Sequence, residues 1–291
     1  MFSGALVAIV TPFRRGGVDE KAFRRLIEFQ IENGTNAIIP CGTTGESATM
    51  SHDEHKRVVE LAVKAVDGRV PVVAGTGSNS TAEAVELTRH AHKAGADAAL
   101  MILPYYNKPT QEGIYLHFKT VAKAVPLPII LYNMPGRTGI NAQPETVARL
   151  ARIKNIVGIK EASANMEQIS RIVELCGDGF DVLSGDDAMT LPIMAVGGKG
   201  VVSVASNVVP RQVAEMTAAW LKGDAAGARE RFFRLLPLFR ALFLETNPIP
   251  IKMALGFMGL IGPEMRLPLC PMGPENTKKL KAVLADYGLL K

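Results

Sequence analysis

Residues 128–160 read PIILYNMPGRTGINAQPETVARLARIKNIVGIK, and this stretch contains a complete strand–helix–strand pattern. Residues 128–132 and 156–160 are short, continuous apolar runs of the kind expected of strands that are buried on both faces. The apolar residues between them have helical spacing, and Pro144 suits the first position of a helix. Two strands joined by a helix are the repeating unit of α/β proteins with a parallel sheet.

The same alternation continues through most of the chain. Eight strands are predicted, at residues 6–10, 37–41, 70–74, 98–103, 128–132, 156–160, 181–184 and 200–204. Helix starts are predicted at three capping motifs, Ser51-x-x-Glu54, Ser80-x-x-Glu83 and Asn165-x-x-Gln168. Eight successive units favour an α/β fold closed as a (β/α)8 TIM barrel over a doubly wound open sheet.

After the eighth unit the pattern changes to helices alone. They are predicted at residues 210–221, 225–243, 250–258 and 275–287. The sequence has no flexible linker or low-complexity stretch that would separate a second domain. We therefore predict a catalytic barrel at residues 1–222 and a C-terminal helical extension at residues 223–291 that packs on it.

The composition is that of an ordinary globular protein, with 47% hydrophobic and 21% charged residues. The net charge of +5 comes from scattered lysines and arginines, so nucleic acid is not an expected partner. The three cysteines are far apart and form no Cys-x-x-Cys pair, which argues against a disulfide framework and structural zinc. This cysteine pattern fits a reducing cytoplasm, so we expect a cytoplasmic protein. The N-terminal apolar run is too short to span a membrane and lacks a signal-peptide pattern, and we interpret it as the first strand.

Reactive groups in a β/α barrel lie at the C-terminal ends of the strands, and Lys160 ends the sixth one. It follows Ile156-Val-Gly-Ile159, a setting that a solvated lysine does not need. A structural interpretation is that the stem packs while the ammonium reaches the rim or pairs with a carboxylate. Partial desolvation would instead lower the pKa of the amine from about 10.4 and free it to attack a carbonyl, as Schiff-base catalysis requires.

Other strand ends carry groups that suit a carbonyl substrate. Three of the five tyrosines, Tyr105, Tyr106 and Tyr132, fall there and could relay protons or simply fill the barrel mouth. The turn Gly42-Thr-Thr-Gly45 offers backbone amides and hydroxyls to a carboxylate, and Arg137 could bind a second one. The sequence contains neither a Walker loop nor a dinucleotide-binding pattern.

Two pairs of possible metal ligands are assigned no metal. Asp186-Asp187 precedes a helical run, where such residues are more often helix caps than magnesium ligands. His52 and His55 have the spacing of neighbours on one helix face, but a convincing third ligand is missing.

Taken together, these motifs resemble the dihydrodipicolinate synthase family of pyruvate-dependent Schiff-base aldolases, over nearly the whole chain. The resemblance rests on Gly42-Thr-Thr-Gly-Glu-Ser47, Tyr105-Tyr-Asn107, Tyr132-Asn-Met-Pro-Gly-Arg-Thr-Gly139, Gly158-Ile-Lys-Glu-Ala162 and Leu183-Ser-Gly-Asp-Asp187. It implies condensation of pyruvate with aspartate 4-semialdehyde on the route through diaminopimelate to lysine, without a cofactor or metal.

The resemblance implies four catalytic positions. Lys160 forms a covalent imine with pyruvate, Tyr132 donates and accepts protons, and Thr43 with Tyr106 completes a hydroxyl relay. Tyr106 reaches into a neighbouring subunit in this family, so the resemblance also implies a homo-oligomer, commonly a tetramer built as a dimer of dimers.

The resemblance further implies substrate and effector positions. Thr44 and Val202 contact pyruvate, Arg137 binds the semialdehyde carboxylate, and the Gly185 backbone lies beside that site. Lysine inhibits many members of the family, and the matching positions are Ser47, Ala48, His52, His55, Asn79, Glu83 and Tyr105.

Three alternatives stay open. Another pyruvate lyase, acting on N-acetylneuraminate or a keto sugar acid, would share Lys160 and Tyr132 but would not be expected to have Arg137. A catalytically silent barrel could bind lysine or serve as a scaffold. A metal-dependent aldolase would use the histidines.

Overall fold

Eight parallel strands form the centre of the molecule, and the computed structural model describes residues 2–290. The strands, numbered β1 to β8 in chain order, are Gly4–Ala8, Ala37–Ile39, Val73–Gly75, Ala98–Ile102, Ile129–Asn133, Ile156–Glu161, Asp181–Ser184 and Gly200–Ser203. Each predicted strand is confirmed, with small shifts at the ends.

The strands close into a barrel. Hydrogen-bonded neighbours follow the order β2-β1-β8-β7-β6-β5-β4-β3. A parallel bridge between Ile38 and Val72 joins the two outer members of that order. The (β/α)8 TIM barrel is therefore confirmed, and the doubly wound alternative is excluded.

Both faces of the strands are buried, which explains their continuous apolar sequences. Because successive side chains point to opposite faces, Leu6 and Val202 belong to a cluster inside the barrel. Their neighbours Val7 and Val201 belong instead to the larger core between the strands and the helices. Two packed layers, one inside the barrel and one between the strands and the helices, thus support the residues at the barrel mouth.

Helices return the chain from one strand to the next. Those of the barrel, α1 to α8, are Glu20–Glu32, His52–Val66, Thr81–Ala94, Gln111–Ala124, Pro144–Ala151, Met166–Cys176, Thr190–Ala195 and Pro210–Leu221. A single helical turn, Pro135–Thr138, follows β5, and short 3-10 turns occupy Ser47–Thr49, Asp187–Met189 and Ala205–Asn207. A small antiparallel hairpin, Phe13–Arg14 with Gly17–Val18, is a feature that the sequence pattern does not predict.

Of the three predicted capping motifs, only Ser51 with Glu54 forms the complete reciprocal box. Ser80 accepts the backbone N–H of Glu83, but the Glu83 carboxylate binds Ser78 and His52 instead of returning to Ser80. The motif starting at Asn165 is likewise only half formed, since the side chain of its last residue turns toward the barrel wall.

The C-terminal extension contains α9 to α11, which are Ala225–Ala241, Ile249–Phe257 and Pro274–Asp286. Helix α9 packs along α8, and α11 packs against α9 and α10. Leu238 and Leu255 join the main hydrophobic core, so the extension shares the core of the barrel. The predicted division of the chain at residues 222 and 223 stays a prediction. Within residues 2–290, every helix is too short or too polar to span a lipid bilayer.

Strands β6 and β7 approach each other closely at Gly158, where an added Cβ would lie 2.5 Å from the backbone oxygen of Asp181. We expect Gly158→Ala to lower the free energy of unfolding by about 1–3 kcal/mol through overpacking, measured by urea denaturation. Gly179→Ala is the control, because its Cβ would meet no heavy atom within 4 Å. Equal stability of the two variants would contradict the tight strand contact.

Candidate active site

Lys160 and Tyr132 lie side by side at the C-terminal ends of β6 and β5. The parallel register pairs Tyr132 directly with Lys160. Lys160 is only 5% exposed, and its Nζ lies 4.1 Å from the centroid of the Tyr132 ring. The structure therefore brings together the amine and the phenol that the sequence singles out, inside the barrel mouth.

Gly185 leaves room for the lysine stem. A Cβ at Gly185 would lie 3.1 Å from Lys160 Cε and 2.7 Å from the Cβ of Ala162. The Gly185 N–H donates to Glu161 O at 2.7 Å, which holds the end of β7 against the end of β6. Only glycine fits this close approach without displacing Lys160.

The Gly42-Thr-Thr-Gly45 turn lies at the same mouth, after β2. Thr43 is half-buried and lines the central cavity, whereas Thr44 is buried beneath it. Thr44 Oγ1 accepts from Asn247 Nδ2 at 2.9 Å. Sequence reasoning missed Asn247, which comes from the C-terminal extension.

Arg137 is exposed at its tip, in the helical turn after β5. Its Nη2 donates to Asn247 O at 2.9 Å and contacts Thr246 Oγ1 at 3.4 Å. Within residues 2–290 these are the only hydrogen bonds of its guanidinium, so Nη2 anchors the group while Nη1 and Nε have no protein partner.

A cavity of about 430 Å³ opens at the barrel mouth. The predicted catalytic or substrate residues that line it are Thr43, Tyr132 and Arg137, together with Asn247. Lys160, Gly185 and Val202 do not line it, although Lys160 contacts the Tyr132 ring and Val202 packs in the same inner cluster as Tyr132.

Six of the seven predicted effector residues also line this cavity. They are Ser47, Ala48, His52, His55, Glu83 and Tyr105, and only Asn79 is not among the lining residues. His52 Nε2 pairs with Glu83, and His55 Nε2 contacts Gly75 O at 2.8 Å. Burial lowers the pKa of His55. The two histidines are therefore engaged with the protein, and within residues 2–290 no group of three or more potential metal ligands gathers.

Tyr106 differs from the other predicted catalytic residues in its exposure to solvent. It is 87% exposed and takes a left-handed backbone conformation with φ of 70°. It does not line the cavity of its own chain.

Sequence reasoning missed a second lysine in an apolar setting, Lys252 of α10. Its side chain is fully buried, and Nζ forms an ion pair with Glu46 at 2.5 Å. Burial lowers the pKa of Lys252, and the carboxylate of Glu46 opposes that shift. Glu46 also accepts from the backbone N–H of Arg266 at 3.2 Å. This pair ties the extension to the threonine turn.

The two aspartates after β7 accept hydrogen bonds from backbone N–H groups and so support the local fold. Asp186 caps the following turn by accepting from Ala188 N–H at 2.8 Å, as predicted. Asp187 accepts from Ser203 Oγ at 2.5 Å and from the backbone N–H groups of Val204 and Ala205, each at 3.0 Å. It thereby joins the ends of β7 and β8.

The fold and the buried lysine at a strand end are those of a β/α-barrel enzyme, and sequence comparison then gives its family. The model of the Dihydrodipicolinate synthetase family matches residues 1–287, so the chain belongs to this family. The 4-hydroxy-tetrahydrodipicolinate synthase of Syntrophus aciditrophicus is 59% identical over 290 residues, which cover 100% of both chains. The crystal structure of dihydrodipicolinate synthase from Aquifex aeolicus has a TM-score of 0.99 and 54% identity, also over 100% of both chains.

Two other similar structures contain small molecules. The chloride-inhibited dihydrodipicolinate synthase from Acinetobacter baumannii, complexed with pyruvate, is 45% identical with a TM-score of 0.98 over 100% of both chains. The enzyme from Cyanidioschyzon merolae, with lysine bound, is 44% identical with a TM-score of 0.96 over 99% of both chains.

Asp187 makes stability depend on pH in a defined window. Burial raises its pKa from 3.8 to about 6, against the opposing hydrogen bonds. Between these values the folded state binds a proton that the unfolded state has lost, so the free energy of unfolding falls as the pH rises. We expect Asp187→Asn to reduce this slope in denaturation curves from pH 4 to 7. The exposed control Asp178→Asn should retain it, and parallel curves for the wild type and Asp187→Asn would contradict the assignment.

Proposed function

We propose that the chain condenses pyruvate with L-aspartate 4-semialdehyde through a Schiff base on Lys160 and then cyclises the product. It is an aldolase-type synthase of the 4-hydroxy-tetrahydrodipicolinate synthase class, on the diaminopimelate route to lysine. The observation that carries the proposal is the pairing of buried Lys160 with Tyr132 at the mouth of a barrel of this family.

The first half of the reaction uses the lysine as an electron sink. Lys160 Nζ attacks C2 of pyruvate, and loss of water leaves an imine. Tyr132, whose ring lies against the lysine, takes a proton from the methyl carbon and gives an enamine. Thr43 and the Tyr106 of a second copy of the chain complete the proton relay, and Thr44 and Val202 support the pyruvate end of the site. The imine supplies the activation, so the proposal requires no cofactor or metal.

The second half joins the two substrates. The enamine carbon attacks the aldehyde while Arg137, anchored by one nitrogen to Asn247, binds the semialdehyde carboxylate beside the Gly185 backbone. The substrate amine then attacks C2, and the bond from C2 to Lys160 Nζ breaks. The ring closes and the free lysine is regenerated.

The same proposal includes assembly, regulation and location. The exposed Tyr106 suits insertion into a second copy of the chain, which supports a homo-oligomer, a tetramer by family resemblance. The cavity lined by His52, Glu83 and Tyr105 supports lysine as an effector, the ligand bound in the Cyanidioschyzon merolae structure. The unpaired cysteines agree with a cytoplasmic location.

The reaction is tested by incubating the protein with both substrates and following the cyclic product by mass spectrometry. We expect turnover that a chelator does not affect. A silent barrel would give no product, and a keto-sugar-acid lyase would cleave a sugar acid faster than it uses the semialdehyde. Either result would contradict the proposal.

Arg137→Ala separates the two substrate sites. Loss of a charged hydrogen-bonding partner, about 1.5–3 kcal/mol, should raise the KM for the semialdehyde about 10- to 100-fold and leave the KM for pyruvate nearly unchanged. Arg149→Ala is the control, because Arg149 pairs with Glu112 at the protein surface. Equal increases in both KM values would remove Arg137 from the semialdehyde site.

A further inference from the structure

One residue beyond Tyr132 and Lys160, the strands carry a second cross-strand pair. The register places Asn133 opposite Glu161, and both side chains are 0% exposed. Because neighbouring residues of a strand point to opposite faces, this pair lies on the helix side of the barrel wall while the tyrosine and lysine face the interior. The family motifs quoted above contain both residues, yet the proposed chemistry uses neither.

The two side chains are the centre of a buried hydrogen-bond network. Asn133 Nδ2 donates to Glu161 at 3.0 and 3.2 Å and to Asn141 Oδ1 at 2.8 Å. The Glu161 carboxylate also accepts from Ser163 N–H at 2.7 Å and from Gln168 Nε2 at 3.4 Å. Gln168 in turn exchanges two hydrogen bonds with Asn141. The network thus joins β5 and β6 to α6 and to the loop before α5.

Burial of the Glu161 carboxylate lowers the stability of the fold. Within residues 2–290, Glu161 forms no ion pair, and burial raises its pKa against the hydrogen bonds of Asn133, Ser163 and Gln168. An apolar pair would fill the same wall without burying a charge or polar groups. A polar network at this position therefore points to a requirement for exact placement, because directional hydrogen bonds specify geometry that apolar packing does not.

We propose that Asn133 and Glu161 are positioning residues that hold the Tyr132 phenol in proton-transfer geometry relative to the pyruvate carried by Lys160. The inference rests on the proposed function. Asn133 is the immediate chain neighbour of Tyr132 and Glu161 is that of Lys160, so a displacement of the outer pair changes the position of the phenol relative to the lysine. A misplacement of about 1 Å can cost about 100-fold in rate.

The test is Glu161→Gln, which keeps the shape of the side chain but turns one acceptor into a donor that faces other donors. Two steps are measured separately. Imine formation is measured by borohydride trapping of pyruvate, and Tyr132 proton transfer is measured by exchange of the pyruvate methyl protons with deuterium in the absence of the semialdehyde. We expect trapping at saturating pyruvate to be retained while methyl exchange and kcat fall together, by about 10- to 100-fold.

A double variant tests the direction of the hydrogen bond. Asn133→Asp combined with Glu161→Gln exchanges donor and acceptor, so the cross-strand bond forms in the reverse sense. We expect it to recover a substantial part of the exchange rate lost in Glu161→Gln. Should Glu161→Gln fail to fold, Asn141→Ala provides the comparison, because it removes one acceptor of Asn133 at the half-buried edge of the network.

Thr88→Val is the matched control. Thr88 is also 0% exposed and donates to Thr76 Oγ1 at 2.9 Å, away from the lysine and tyrosine. It should lower the melting temperature without changing methyl exchange. If Glu161→Gln behaves like this control, the two residues are merely structural and the inference is overturned. A wild-type protein that neither traps pyruvate nor exchanges its methyl protons would instead overturn the proposed function.

Discussion

The parallel register between β5 and β6 is the constraint on which the site depends. It places Tyr132 opposite Lys160 on the inner face and Asn133 opposite Glu161 on the outer face. A slip of one residue would turn the lysine toward the helices and the glutamate toward the barrel interior. The same register therefore fixes which side chains face the barrel interior and which face the helices, and the remaining strands close the wall around these pairs.

Much of the fold follows from local sequence pattern. The continuous apolar runs predict eight strands because both faces of each strand are buried, and closure of the barrel follows from their number. The barrel rule then directs attention to strand ends, where Lys160, Tyr132, the Gly42-Thr-Thr-Gly45 turn and Arg137 indeed surround one mouth. Capping was only partly predictable, since Glu83 binds His52 and Ser78, and His52 comes from another helix.

The remaining features depend on contacts between residues distant in sequence. Lys252 follows apolar residues as Lys160 does, yet it is neutralised by Glu46, which lies 206 positions away. Local sequence cannot distinguish a lysine that pairs with a buried carboxylate from one that contacts an aromatic ring at a cavity. Asn247 escaped prediction for the same reason, because its contacts with Thr44 and Arg137 arise only when the extension packs on the barrel.

We expect Lys160, and not the fully buried Lys252, to carry pyruvate. Reduction with borohydride in the presence of pyruvate, followed by peptide mass spectrometry, locates the adduct. Imine formation on Lys160 predicts a reduced pyruvate adduct on the peptide that contains Lys160, and its absence from a Lys160→Arg variant that is also inactive. An adduct confined to another lysine, or normal turnover by Lys160→Arg, would contradict it.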